Sequence, residues 1–348
     1  MTTQTALALT EIGKPLTKIT LPGPETIEPR ENEVLIKVKA AGLAPLDQKF
    51  RDRNFFNIAN RLPAVLAGDL VGTVVKIGPG VSFPVGALVF SQMLLHLPTS
   101  GGLQEYTVIN GEYTAIVPPG VSAPEAALYP INAVCAAMAL FSSHGFGFPF
   151  PGTPESASFD YASQKIVIVG GGSNIGQLAI QFARAAAIGT IIAIAAPSNS
   201  ATLEEYGATH IISRHDSDIE DQVRRIVGDD LLYVHDTINF GDHSLAVSLL
   251  SNSQRGTIAH NLPGNADKAV LARKKAGVED KMIEAYSHAI PEFGRLFWKE
   301  FPVWLESRKI KPLKYKVIQG LDADKVNAAL DEYKAGKGGE RYHVSLGV

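Results

Sequence analysis

Cysteine is almost absent from this chain. Cys135 is the only cysteine among 348 residues, which excludes an internal disulfide and any zinc site built from several cysteines. The chain also lacks a large excess of charge of either sign. It has 32 lysines and arginines and 35 aspartates and glutamates, which leave a formal net charge of −3. The composition therefore gives no reason to expect a nucleic-acid partner or an acidic membrane surface as a partner.

Long hydrophobic runs are missing as well. The sequence has no uninterrupted stretch of about 18 apolar residues, and its N-terminus lacks a basic region followed by an apolar core. We therefore expect neither a membrane-spanning segment nor a signal peptide, and we expect a cytoplasmic location. With 45% hydrophobic and 19% charged residues, the composition is that of a globular enzyme long enough for two domains with separate cores.

The first 130 residues have the pattern of an all-β domain. Short alternating segments such as Val34–Ala40, Leu70–Ile77 and Ala87–Phe90 are separated by turns rich in glycine and proline. This regular spacing predicts a small closed barrel.

From Lys165 to Asn261 the pattern changes to strands and helices in alternation. Such alternation predicts an α/β domain with a parallel sheet covered by helices on both faces. Residues 278–287 are predicted as a further strand, at a sheet edge. We expect residues 1–130 and 305–348 to form the barrel domain and residues 131–304 to form an inserted nucleotide-binding domain.

The most informative stretch is the first βα unit of that second domain. A β-branched strand, Lys165–Val169, leads into the loop Gly170–Gly176 and then into a helix-forming run. Small residues in such a turn let backbone N–H groups approach a pyrophosphate, which lies at the positive end of the helix. The candidate cofactor contacts in this loop are Gly171, Gly172, Ser173, Asn174, Ile175 and Gly176.

Four segments together resemble the medium-chain dehydrogenase/reductase superfamily. They are Ala67–Gly78, Gly101–Tyr106, the loop Gly170–Gly176 and Tyr206–Ile212, in that order. The chain looks most like the zinc-free quinone reductase branch, and especially the fungal enoyl reductases that act in trans with polyketide synthases. The resemblance implies a GroES-like β-barrel domain, a Rossmann domain with a doubly wound parallel sheet, and an active site in the cleft between them.

The resemblance also raises the question of a metal. Zinc-dependent members of the superfamily hold the metal with a cysteine and a Gly-His-Glu motif, but this chain has Ala44–Asp47 and then Gly68-Asp69-Leu70 at those positions. We therefore expect no metal site. Polarisation of the substrate would then come from hydrogen bonds, which suits reduction of an activated alkene or a quinone better than oxidation of an alcohol.

The end of the second Rossmann strand predicts the cofactor. NAD-preferring proteins place an acidic residue there, whereas this strand, Ile191–Ala195, leads into Ser198 and Asn199 without an acid. Arg214 falls where related NADPH-dependent reductases often carry a phosphate-facing tyrosine, and a guanidinium suits a phosphate. We therefore expect NADPH. For Ser198 and Asn199 the alternative is an ordinary turn or a helix N-cap. For Arg214 it is a solvated position in a loop.

The catalytic candidates come from the resemblance. Lys49 matches a lysine of the fungal enoyl reductases that could hold the nicotinamide ribose or help supply a proton; the alternative is a solvated lysine. Cys135 falls where relatives often have a threonine near the cofactor's carboxamide; the alternative is a small buried apolar residue.

A further cofactor segment is expected after the strand that begins at Gly256. His260, Asn261 and Leu262 follow at the carboxyl end of this strand, where cofactor loops gather. Backbone groups there could clasp the nicotinamide, and His260 is expected to fix the loop rather than to transfer a proton.

These observations predict an NADPH-dependent, zinc-independent reductase of an activated C=C bond in fungal secondary metabolism. The leucine-rich segment Gln92–Ser100 favours a small apolar substrate, and the resemblance implies a polyketide-like one, either free or carrier-bound. A quinone or small enone reductase and a catalytically silent nucleotide-binding protein are the alternatives. Both a monomer and a homodimer are compatible with the sequence.

Overall fold

The computed structural model describes residues 2–97, 99–336 and 340–347, and the chain packs into two compact units. The first consists of Met1–Ile131, Gly294–Ser307 and Pro312–Val348, and the second of Asn132–Phe293 and Arg308–Lys311. The boundary predicted at residue 304 differs from this division. Gly294–Ser307 packs with the first unit because aromatic side chains from it lie against rings of that unit, as Trp298 does on Phe90.

The bounds of the elements are as follows. The strands are β1 (Thr3–Leu9), β2 (Thr17–Pro22), β3 (Glu33–Gly42), β4 (Ala64–Val65), β5 (Asp69–Ile77), β6 (Leu88–Gln92), β7 (Tyr106–Asn110), β8 (Thr114–Ile116), β9 (Lys165–Val169), β10 (Thr190–Ala195), β11 (His210–Ser213), β12 (Tyr233–Asp236), β13 (Gly241–Asp242), β14 (Gly256–His260), β15 (Gly264–Asn265), β16 (Val278–Met282), β17 (Tyr315–Gln319) and β18 (Arg341–Ser345). The α-helices are α1 (Pro45–Arg53), α2 (Ala123–Ala126), α3 (Pro130–Phe141), α4 (Asn174–Ala185), α5 (Ser200–Tyr206), α6 (Ile219–Val227), α7 (Ser244–Leu249), α8 (Lys268–Ala272), α9 (Pro291–Glu306) and α10 (Ala323–Lys334).

Strand β3 is the centre of the larger sheet in the first unit. This seven-stranded sheet has the order β17-β18-β3-β5-β6-β8, and β7 also pairs with β3. The amino half of β3 pairs with β7 and its carboxyl end with β18, while β5 runs along its other side. These pairings are antiparallel, except that β17 and β18 are parallel with α10 between them in the chain.

The central strand β3 is buried on both faces over most of its length. Val34, Ile36, Leu70 and Val74 lie in one buried cluster, and Leu35, on the opposite face of β3, is also buried, whereas Lys37 is exposed. Successive residues of a strand point to opposite faces, so this central strand contributes apolar side chains to both sides of the sheet. The first 130 residues were predicted to be all-β; their described part contains eight strands, but also the helices α1 and α2, which the prediction did not include.

The second unit is built on a six-stranded parallel sheet with the order β11-β10-β9-β12-β14-β16. The chain reverses its direction of travel across the sheet between β9 and β12, which is the topological switch point of a doubly wound fold. The predicted doubly wound parallel sheet is therefore confirmed. Val278–Met282 does lie at the sheet edge, but this strand ends five residues before the predicted Ser287.

No helix in the described part of the chain combines the length and the apolar character that crossing a membrane requires.

Strand β18 carries buried polar side chains into the first unit. Arg341 is 1% exposed, and its Nη2 lies 2.6 Å from Asp69 Oδ2. His343 is fully buried, and its Nδ1 donates to the Pro124 carbonyl at 2.6 Å. Burial, together with the nearby Arg341 cation, lowers the pKa of His343 to about 3. The imidazole is therefore neutral in the folded chain at neutral pH.

Replacing His343 with asparagine should flatten the acid side of the stability profile. Asparagine keeps an N–H donor for the Pro124 carbonyl but takes up no proton. Because the folded pKa of about 3 lies below the ordinary 6.5, the unfolded chain binds this proton first. The wild-type chain therefore loses up to about 1.4 kcal/mol of stability per pH unit from this group as the pH falls between these values.

Urea unfolding at pH 7, 6 and 5 measures that slope. The variant His144→Gln changes an exposed histidine and should keep the wild-type slope. If His343→Asn also kept the wild-type dependence of the unfolding free energy on pH, the buried neutral state of His343 would be contradicted.

Candidate active site

The loop Gly170–Gly176 joins β9 to α4 by a turn in which backbone lies close to backbone. Gly170 has φ of +78°, and a Cβ at this position would lie 2.5 Å from Ile238 Cγ2. A Cβ on Gly176 would lie 2.4 Å from the Gly170 carbonyl oxygen. At Gly176 only glycine fits without a shift of the backbone, and at Gly170 the positive φ favours glycine. The first turn of α4 can therefore pack directly on the end of β9.

The N-terminus of α4 offers unpaired donors. Ser173 is its N-cap, and the Ser173 Oγ accepts the Gly176 N–H at 3.0 Å. Within the described ranges, the amides of Gly172, Asn174 and Ile175 donate to no protein acceptor. Free amides at the positive end of a helix are donors suited to an anion. The loop can thus hold a phosphate group.

Thr237 supports this loop from the neighbouring strand. Its Oγ1 lies 2.8 Å from Ser173 Oγ and donates to the Val169 carbonyl at 2.9 Å. Because the Ser173 hydroxyl already contacts Thr237 and Gly176, its first role in this structure is to fix the start of α4. Direct contact of Ser173 with a cofactor stays a prediction.

The end of β10 lies beside the glycine loop. Asn199 Nδ2 is 2.3 Å from where a Cβ on Gly172 would lie, so the Asn199 side chain covers that glycine. Asn199 is also the N-cap of α5, but its side chain makes no capping hydrogen bond. Ser198 is exposed in the short 3₁₀ turn before α5. The structure therefore brings Asn199 to the loop and leaves the Ser198 hydroxyl open to solvent.

Arg214 follows β11 at the same edge of the sheet. Its backbone N–H donates to the Ala195 carbonyl at 2.9 Å, which places it next to the end of β10. The side chain is exposed, its Nε donates to His215 Nε2 at 3.3 Å, and it forms no ion pair with a described carboxylate. The nearby Asp216 accepts instead from Gln222. The Arg214 guanidinium is therefore available to an anion.

Asn261 connects two buried groups of the second unit. Its Oδ1 lies 2.9 Å from His235 Nε2, and its Nδ2 donates to the Cys135 sulfur. Burial lowers the pKa of His235 to about 4, so its ring is neutral at neutral pH. With the Asn261 amide oxygen facing Nε2, this nitrogen carries the proton of the neutral ring, and the amide nitrogen donates on the other side.

Cys135 lies on α3 and is 1% exposed. Burial raises the pKa of its thiol to about 12. Cys135 is therefore a neutral thiol that accepts from Asn261, which agrees with the small buried residue considered as its alternative role. The arrangement gives no thiolate nucleophile.

Sequence reasoning missed the residues that hold the loop after β14. Asp236 at the end of β12 accepts from His243 Nδ1 at 2.9 Å, and His243 Nε2 lies 3.1 Å from the Leu262 carbonyl oxygen. His260 Nδ1 lies 2.8 Å from the same oxygen. His260 thus contacts its own loop, as expected. The polar run His235-Asp236-Thr237 at the carboxyl end of a parallel strand was the signal that could have found part of this set.

Lys49 lies on α1 of the first unit. Its ammonium is 5.7 Å from the centre of the Phe55 ring. Burial, and secondarily the Arg53 charge, lowers the pKa of Lys49. A half-buried amine with a lowered pKa is suited to binding a polar ligand or moving a proton. Either role of Lys49 stays a prediction.

The two carboxylates at the positions of zinc ligands have structural partners. Asp47 accepts from the Ala44 and Ala67 amides at 2.7 and 2.9 Å, and burial raises its pKa to about 6. Asp69 accepts from the Ile131 amide at 2.6 Å and pairs with Arg341. Within the described ranges, no group of three or more His, Cys, Asp or Glu residues has the arrangement of a metal site.

Most of the predicted cofactor residues belong to the second unit. The glycine loop, Ser198, Asn199 and Arg214 lie along one edge of its sheet, and Cys135, Asn261, His260 and Leu262 are joined through the loop after β14. Lys49 belongs to the first unit.

Comparison with known proteins gives consistent results. Residues 30–119 match the alcohol dehydrogenase GroES-like domain. The chain is 29% identical over 327 residues to trans-enoyl reductase himH of Aspergillus japonicus, covering 90% of both chains. It is 30% identical over 218 residues to trans-enoyl reductase tazE of Aspergillus terreus, covering 60% of this chain and 69% of tazE.

Solved structures show the same fold over the whole length. The structure of mycobacterial Rv1454c complexed with NADPH superposes with a TM-score of 0.76 at 21% identity, covering 99% of this chain and 100% of that one. At this identity the likeness concerns the fold.

Cys135 should resist thiol reagents in the folded chain. A pKa of about 12 against the ordinary 9.0 leaves the thiolate about a thousandfold less abundant at neutral pH. Titration with an aromatic disulfide reagent should give almost no reaction in native buffer and one thiol per chain in denaturant. Rapid, complete labelling of the folded protein at pH 7 would contradict the buried neutral thiol.

Proposed function

We propose that this chain, which belongs to the medium-chain dehydrogenase/reductase superfamily and is enoyl reductase-like within it, is an NADPH-dependent reductase of an activated C=C bond. The substrate would be an enoyl or enone compound of secondary metabolism. A hydride would add to the β-carbon of the substrate, and a proton would then add to the neighbouring carbon. The observation that carries the proposal is the glycine loop with its free amides, in a chain related to trans-enoyl reductases.

The residues of the second unit fit a dinucleotide. A Cβ on Gly170 or Gly176 would lie 2.5 or 2.4 Å from neighbouring atoms, so glycine at these positions lets α4 begin close to the end of β9. The free amides of Gly172, Asn174 and Ile175 would bind the pyrophosphate at the start of α4. When bound, the nicotinamide cofactor supplies the hydride. The NADPH complex of a protein with the same fold is consistent with this choice.

The preference for NADPH rests on charge. No carboxylate follows β10 to accept from a ribose 2′-hydroxyl, and Arg214 lies beside the end of that strand without an ion-pair partner among the described residues. A guanidinium here would bind the 2′-phosphate by charge-assisted hydrogen bonds. Ser198 and Asn199 would add neutral donors from the turn before α5.

Zinc independence rests on the donors present. Asp47 and Asp69 stand where zinc-dependent members have ligands, and both carboxylates are already bound by backbone amides or Arg341. Freeing them would leave buried donors without acceptors. Hydrogen bonds would therefore polarise the substrate carbonyl, and Lys49 would hold the nicotinamide ribose or help supply the proton.

The leucine-rich segment Gln92–Ser100 supports an apolar or polyketide-like substrate; its Pro98 lies outside the described residues. Leu95 and Leu97 of this segment line a small cavity together with Phe50, Asp47 and Arg61. Its volume of about 10 Å³ has room for one water molecule at most, so this cavity is not itself the substrate site. The acyl group would be either free or bound to a carrier.

The reaction should be measured as the loss of NADPH absorbance with three acceptors. We expect fastest turnover with an α,β-unsaturated thioester, slower turnover with a simple enone, and the slowest with a quinone. A chelator should leave the rates unchanged, because no metal takes part. Turnover of the quinone alone would favour a quinone reductase. Tight NADPH binding without any turnover would favour a silent nucleotide-binding protein, and absence of NADPH binding would refute the proposal.

Replacing Arg214 with alanine should weaken NADPH binding and leave NADH binding almost unchanged. Loss of a charge-assisted bond to the 2′-phosphate costs about 1.5–3 kcal/mol, or roughly 10- to 150-fold in Kd. The dissociation constants can be measured by fluorescence titration. Arg225→Ala, at another exposed arginine, should leave both constants near the wild-type values. An equal loss for both cofactors in Arg214→Ala would exclude the phosphate role.

A further inference from the structure

Three buried histidines hold two consecutive residues of the loop that follows β14. His235 fixes the side chain of Asn261, while His243 and His260 both contact the carbonyl oxygen of Leu262. The exposed fractions of the three histidines are 0%, 0% and 3%. They come from the end of β12, from the residue before α7 and from the end of β14. The end of β12 and the residue before α7 therefore meet the segment that directly follows His260.

The Leu262 carbonyl has no acceptor capacity left. A carbonyl oxygen has two lone pairs, and the two imidazoles approach this one at 3.1 and 2.8 Å. The rings of His243 and His260 lie 4.3 Å apart, tilted by 37°. This carbonyl is consequently a structural anchor and not a site for a ligand's donor.

Each ring bridges the Leu262 carbonyl and a carboxylate. His243 faces Asp236 Oδ2 at 2.9 Å and the carbonyl on its other side, and His260 faces Asp280 Oδ1 at 2.7 Å and the same carbonyl. Each histidine therefore links the loop after β14 to a carboxylate of a neighbouring segment.

The backbone next to the anchor is left with one free peptide group. Pro263 has no N–H and restricts the conformation of Leu262 before it, and its carbonyl accepts from Gly241 N–H at 2.9 Å. The Asn261 N–H donates to the Asp236 carbonyl, and the His260 carbonyl accepts from the Ile283 N–H. The Asn261 carbonyl and the Leu262 N–H have no hydrogen-bond partner among the described residues. They belong to the same peptide unit.

We propose that His243 and His260 are positioning residues that hold the Asn261–Leu262 peptide group for the carboxamide of the nicotinamide ring. This proposal rests on the proposed function, because it requires a nicotinamide cofactor in the second unit. A carboxamide has both a donor and an acceptor, so it can bind whichever polar atom of the peptide faces it. The histidines act through the Leu262 carbonyl, which belongs to the next peptide unit and limits rotation about Leu262 without itself touching the cofactor.

Amide substitutions separate the two hydrogen bonds of each histidine. The Asn amide nitrogen replaces Nδ1, and the Gln amide nitrogen replaces Nε2. His243→Gln and His260→Asn therefore keep the bond to Leu262, whereas His243→Asn and His260→Gln keep only the bond to a carboxylate. Each histidine thus supplies a matched pair of variants.

Affinity for two ligands provides the measurement. NADPH contains the nicotinamide, and adenosine 2′,5′-bisphosphate contains only the adenine half of the cofactor. We expect His243→Asn and His260→Gln to bind NADPH about tenfold more weakly and the bisphosphate as the wild type does. His243→Gln and His260→Asn should stay within about twofold for both ligands. His144→Gln, at an exposed histidine, should change neither.

Stability distinguishes positioning from a purely structural role. Asp236 is fully buried, and His243→Gln loses the hydrogen bond to its carboxylate. This variant should therefore have a lower free energy of unfolding than His243→Asn. It should nevertheless bind NADPH more tightly, because it keeps the hydrogen bond to Leu262. Equal NADPH affinity within both pairs, or parallel losses for the two ligands, would overturn the positioning role. If one variant failed to fold, the pair at the other histidine would still decide. A wild-type chain that binds neither ligand would instead refute the proposed function.

Discussion

The close approach of α4 to the end of β9 is the constraint on which the second unit depends. The distance of 2.4 Å between a notional Cβ on Gly176 and the Gly170 carbonyl means that a side chain there would push the helix away from the sheet. Such a shift would also move the free amides at the start of α4. The same contact therefore packs the core and forms the anion site, so stability and binding depend on the same glycines.

The first unit depends on buried carboxylates in an analogous way. Asp69 on β5 pairs with Arg341 on β18, which joins residues 272 positions apart in the chain. Asp47 accepts from the backbone amides of Ala44, at the start of α1, and of Ala67, shortly before β5. Removing one partner from such a buried pair is far more destabilising than removing an exposed one, because the remaining charge stays buried. Positions that hold a metal in zinc-dependent relatives thus contribute here to cohesion of the sheet.

Strands and helices with a strong local pattern were predictable from the sequence. The β-branched run of β9, the alternation of strand and helix after it, and the glycine loop all depend on neighbours in the chain. The end of β16 and the packing of Gly294–Ser307 could not be predicted from the sequence, since each is decided by contacts with distant residues. Of the site, the glycine loop and the sheet-edge positions after β10 and β14 came from local patterns. The roles of His235, His243 and Thr237 could not be read from any local pattern, because their partners lie in other segments of the chain.

The sequence by itself determined the alternation of strand and helix, the turn that requires glycine, and the lack of an acid after β10, because each is a property of a short segment. Only the tertiary structure decided that Cys135 is a neutral thiol bound to Asn261 and that two histidines saturate the Leu262 carbonyl. Burial and hydrogen-bond partners come from segments far apart in the chain, so no local pattern contains them. For the same reason, the free peptide group beside Pro263 became visible only in the folded chain.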